Sequence, residues 1–145
     1  MGSNGRLGLQ DLRPKDAFEL VVAAEGRTVS GVMLVPGMPA PVYRNEQGTE
    51  SFSWAPVPGA ASYFVMADTD APTSARHSAD TSYVLRRDLR PGRPVPDEPL
   101  FTVIALDANL DRFMSDTTVA RAGITSGYGI FGAFVRVSVA IPEAP

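Results

Sequence analysis

Phe52-Ser53-Trp54-Ala55-Pro56-Val57-Pro58-Gly59-Ala60-Ala61-Ser62-Tyr63-Phe64-Val65 is the stretch whose reading decides the fold. Phe52 and Trp54 alternate with Ser51 and Ser53, the period-two pattern of a strand with one buried face. Pro56-Val57-Pro58-Gly59 cannot continue a ladder and reads as a turn. Ala61 to Ala67 then resumes as an apolar, β-prone run.

The same grammar extends in both directions. Phe18 to Ala24 and Arg27 to Val35 are β-prone runs separated by Glu25-Gly26, a connection of hairpin length. Pro36, Pro39 and Pro41 then read as an extended linker. Downstream, Ser82 to Arg86, Leu100 to Leu106 and Phe131 to Ile141 supply further strands, the last with clear alternation. Asp107 to Thr118 holds either a helical turn or a long loop. Gly and Pro contribute 13 residues each, far more than a helical bundle tolerates. The expected fold is all-β, an antiparallel β-sandwich.

Asp11-Leu12-Arg13-Pro14 recurs as Asp88-Leu89-Arg90-Pro91, and each copy precedes an aromatic-led apolar strand. A duplicated corner-and-strand unit follows from that order of features. Residues 1–41 therefore read as a tail and β-hairpin, the end of a preceding sandwich. Residues 42–49 read as a linker, and 50–145 as a complete sandwich.

Composition removes several functions. The 145 residues carry a net charge of −3 with no basic block, a poor match for nucleic acid. Without Cys there is no thiol chemistry, disulfide or thiolate-bound metal. No apolar run reaches the roughly 20 residues that span a bilayer. His77 is the lone histidine, so no multi-His site can form.

The remaining candidate residues are weighed against plainer roles. Gly127 to Gly132 resembles a phosphate loop only superficially, because a strand follows it and no Lys is near. It reads as a bulged approach to the last strand, presenting Tyr128 and Phe131 for ligand contact. Asp68, Asp70, Asp107, Asp111 and Asp116 could offer oxygens to calcium, but lack a calcium-loop pattern and read as solvated turn carboxylates. Ser74, His77 and Asp80 lie close in sequence without a nucleophile-elbow motif, so His77 reads as part of a surface loop. Trp54 reads as a core plug, and Arg86, Arg87, Arg90 and Arg93 as a solvated edge. No catalytic residue, metal ligand or cofactor site is assigned.

Two resemblances add to this reading. Phe52 to Val65, with Leu89-Arg90-Pro91-Gly92 and Phe101 to Ala105, resembles fibronectin type III-like domains of the immunoglobulin-like sandwich class. Phe101 stands where that family usually has Tyr, which puts its corner hydroxyl bond in doubt. More narrowly, Phe18 to Val22, Val35-Pro36, Ala105 to Asp107 and Ser126 to Gly132 resemble a domain-of-unknown-function family of Bacteroidetes-type outer-membrane lipoproteins. That resemblance implies a non-catalytic module of the cell envelope, contacting a protein partner or a glycan. This chain departs from the family pattern by lacking its lipidation Cys and most of its N-terminal domain, so the resemblance does not carry the lipid anchor over to it. A carbohydrate or small-ligand module using Tyr128 and Phe131 is the alternative.

Overall fold

The structure is a computed structural model that describes residues 17–119, 121–126 and 128–144. The Asp11–Pro14 corner and Gly127 lie outside them. Among the described residues, twelve strands, one short α-helix and a 3-10 turn at Pro72–Ser74 make up the regular structure, and nearly all strand pairs are antiparallel.

Strands β1 (Ala17–Ala24) and β2 (Arg27–Leu34) form the expected hairpin. Glu25 and Gly26 both adopt positive φ, the conformation that matches a two-residue turn to the strand twist. The proline segment behind β2 is not a free linker. Pro36 and Pro39 are buried, and the Gly37 N–H donates to the Pro58 carbonyl at 2.8 Å. The segment is therefore tied to the turn of the opening stretch. Residues 42–46, read above as linker, carry a strand.

That strand, β3 (Val42–Glu46), pairs with β4 (Thr49–Ser53), which pairs with β7 (Ser82–Val84). The second sheet runs β12-β8-β5-β6, comprising Phe134–Ala140, Leu100–Leu106, Ser62–Ala67 and Arg76–Ser78. Both sheets contribute to one core. Phe52 of β4 stacks on Phe101 of β8 with ring centroids 4.2 Å apart and planes 7° from parallel. Trp54, Tyr63, Val65, Tyr83, Val103 and Ile141 are among the residues packed with them. Trp54 meets Tyr63 edge-to-face at 5.5 Å, the core role its alternation predicted. The Tyr63 hydroxyl accepts the Val57 N–H at 2.8 Å, fixing the turn to the strand that follows it. This arrangement is all-β and compatible with a sandwich.

The segment between β8 and β12 is more structured than its sequence suggested. Helix α1 (Ala108–Ser115) opens it, capped by the Asp107 carboxylate on the Leu110 N–H at 2.8 Å. Then β9 (Arg121–Ala122) runs parallel to β11 (Gly129–Ile130), while β10 (Ile124–Ser126) pairs with β2. The last strand accordingly starts at Phe134 rather than Phe131, because 129–130 belong to this separate ribbon.

Candidate functional site

The segment carrying Tyr128 and Phe131 is held by a polar hub. The Asn109 side-chain amide donates to the carbonyls of Val32 at 2.8 Å and Phe131 at 2.9 Å. The Val32 N–H donates to the Gly123 carbonyl at 2.7 Å, and Ser30 and Thr125 join their hydroxyls at 2.9 Å. Hairpin and insertion thus meet through side-chain and backbone bonds together. Gly31 permits that approach: a Cβ there would collide with the Gly123 carbonyl and press on the Phe131 ring.

The two sequence-selected aromatics differ in setting. Tyr128 is 80% exposed, whereas Phe131 is half-buried with its ring edge over Gly31. Ile130 and Phe134 add exposed apolar surface along 128–134. This braced, aromatic-bearing loop is the candidate contact site.

Asp107 lies beneath it. The side chain is 1% exposed, and burial raises its carboxyl above the usual value against the backbone N–H groups that lower it. Its Oδ1 caps α1, while Oδ2 has no partner among the described residues. A side chain at Gly132 would crowd both Leu110 and this carboxylate.

The other candidate carboxylates are also spent internally. Asp70 was expected in solvent, yet it is 1% exposed and accepts the Tyr83 hydroxyl at 2.7 Å and the Arg86 N–H at 2.8 Å. Burial first, then the Asp70 bond, pushes the Tyr83 phenol up to about 12. Asp68 accepts the Leu100 N–H at 2.9 Å, and Asp116 caps Thr118. Turn propensity correctly marked these residues, but it carries no information on burial.

His77 lies not on a loop but on the edge strand β6. Its Nε2 sits 2.7 Å from Ser62 Oγ and 3.1 Å from Asp111 Oδ1, a grouping that local spacing could not reveal. Ser74 and Asp80 are not its partners. A nucleophilic triad needs the hydroxyl and the carboxylate on opposite ring nitrogens; here both share one. Ser62 is also 2% exposed, so its hydroxyl does not face substrate. The cluster ties β5, β6 and α1 together.

Of the four arginines read as a solvated edge, Arg86 and Arg90 are exposed, whereas Arg87 and Arg93 are partly buried. Arg87 makes a two-pronged contact with Glu50 at 2.6 and 2.7 Å and also donates to the Pro142 carbonyl at 2.7 Å. The guanidinium holds the Glu50 carboxyl below its ordinary range, outweighing the opposing effect of burial. Arg93 contacts Asp88 at 3.0 Å and donates to the Thr69, Asp68 and Asp70 carbonyls. Arg90 alone of these ion-paired arginines is largely exposed, and its contact with Asp88 holds that carboxyl well below the usual range.

Comparisons with family models, curated proteins and solved structures find no match for this chain.

Proposed function

We propose that this chain is a non-catalytic β-sandwich module of fibronectin type III-like topology that binds a protein partner through the loop around Tyr128. The topology is supported by the order of the core strands. Taking β3 to β8 and β12 in sequence, the first, second and fifth share one sheet. The third, fourth, sixth and seventh share the other, which differs from the immunoglobulin constant-type partition only in the sheet that holds the fourth strand.

The binding reading is carried by one observation: Tyr128 is 80% exposed on a segment braced by the Asn109 hub. A large aromatic held in solvent on a fixed support loses little freedom when it docks. Asp70, His77 and Arg87 are meanwhile committed to internal bonds, which supports a binding role over a chemical one. A photo-crosslinking side chain at position 128 should give a discrete adduct that one at exposed Glu46 does not. Equal labelling from both positions would overturn the reading.

A second reading is a carbohydrate module, since an exposed tyrosine ring can stack on a sugar face. Phe131 would then support Tyr128 from below. A glycan array should show binding by the unaltered chain and its loss in Tyr128→Ala; no binding to any glycan removes this reading. Placement at the cell envelope rests on the sequence resemblance, and fractionation of cells making the protein tests it.

A further inference from the structure

The geometry points to the outer edge of β12 as a two-fold interface with a second copy of this chain. β12 is the last strand of its sheet, and no described strand lies along its other side.

The phase of its hydrogen bonds can be read from both ends. The Asp107 N–H donates to the Ala133 carbonyl at 3.0 Å, and the Ile141 N–H donates to the Pro99 carbonyl at 2.9 Å. Both pairs keep the β12–β8 register, in which Phe134 faces Leu106 and Ala140 faces Leu100. Antiparallel ladders alternate, so Val135, Val137 and Val139 turn their backbone groups toward β8. Phe134, Arg136, Ser138 and Ala140 must therefore turn theirs outward. Four consecutive donor–acceptor sets point away from the sheet, with no proline among them.

These sets are self-complementary about one point. An antiparallel pairing centred on Val137 places Arg136 opposite Ser138 of the second copy, and Phe134 opposite its Ala140. Every outward N–H and C=O then has a partner. On the exposed face, each large or charged side chain meets a small one. On the half-buried face, Val137 meets Val137, and Val135 meets Val139. Neighbouring centres do worse. Centring on Arg136 sets two guanidinium groups directly across from each other, which is destabilising. Centring on Ser138 sets Phe134 against Pro142, which has no N–H to give. The sequence of this edge thus favours one register, and that register joins two four-stranded sheets into one of eight.

A single strand pair is a small interface, so the dimer should be weak and dependent on concentration. Sedimentation equilibrium of the full chain, across micromolar to millimolar concentrations, should show monomer and dimer in exchange. Ser138→Arg places like charges across the axis and should weaken association by roughly tenfold or more. Ser138→Glu places a carboxylate opposite Arg136 and should strengthen it. The double variant Arg136→Glu with Ser138→Arg should restore association, which a merely misfolded variant would not do. A chain that stays monomeric at millimolar concentration overturns the proposal. A dimer indifferent to all three variants overturns it too, because its contact then lies elsewhere, such as the free edge of β1.

Discussion

Asp70 and Tyr83 form a single buried side-chain pair that joins the two sheets. Phe101 has no hydroxyl to bond back to the chain. Asp70, between β5 and β6, instead receives a hydroxyl from Tyr83 on β7 and an N–H from Arg86. One carboxylate thereby links the loop of one sheet to a strand of the other. Tyr83→Phe keeps the ring against Phe101 but strips a buried carboxylate oxygen of one of its two donors. A loss of about 1–3 kcal/mol is expected, read as a lower urea midpoint at unchanged slope. The aromatic positions were legible in the sequence because period-two alternation reports which face is buried. The burial of Asp70 was not, since its donors lie on residues 83 and 86 and only the fold brings them near.

At the scale of elements, α1 and the β1–β2 hairpin are each secured by a few polar contacts. Asp107 caps the helix with one oxygen while the other is buried without a partner among the described residues. Its carboxyl is raised by burial, so this group adds most to stability below its unfolded value and loses that contribution as pH rises through the folded one. Asp107→Ala should cost about 1 kcal/mol at neutral pH through the lost cap, and the gap to the unaltered protein should widen on acidification. Thermal melts from pH 7 to 4 check both. Asn109→Ala removes the donor shared by Val32 and Phe131. It should lower stability by about 1 kcal/mol and speed hydrogen exchange at the Val32 amide, while amides of β8 keep their protection. The hairpin itself was plain from two β-prone runs around Glu25-Gly26. Its pairing with β10 was not, because Ile124 to Ser126 is too short to signal a strand and the Gly-rich run masks its periodicity.

At the scale of the whole molecule, Glu50 and Arg87 bind distant parts of the chain together. Glu50 lies on β4, Arg87 follows β7, and the same guanidinium reaches the Pro142 carbonyl beyond β12. The Glu50 carboxyl is held below its ordinary value of 4.5, chiefly by Arg87. Its contribution is therefore present above that pH and lost as pH falls through the lowered folded value. Glu50→Gln should make stability less sensitive to acid across pH 5 to 3, as followed by circular dichroism. It should also loosen the C-terminal residues, seen as faster proteolysis after β12. The sheet orders and the exposed loop at Tyr128 are what unite fold and proposed role, one giving a rigid frame and the other a contact held on it.

The pairing of β2 with β10 also constrains the order of events when the chain is made. Ser30 and Thr125, which join across that seam, are 95 residues apart in sequence. At a synthesis rate of roughly 5–20 residues per second, the hairpin waits about 5–20 s after it is made before its partner strand exists. During that interval β2 lacks the Gly123 and Phe131 segment that packs on it in the folded structure. The hairpin is thus synthesised well before the strand that locks it in place.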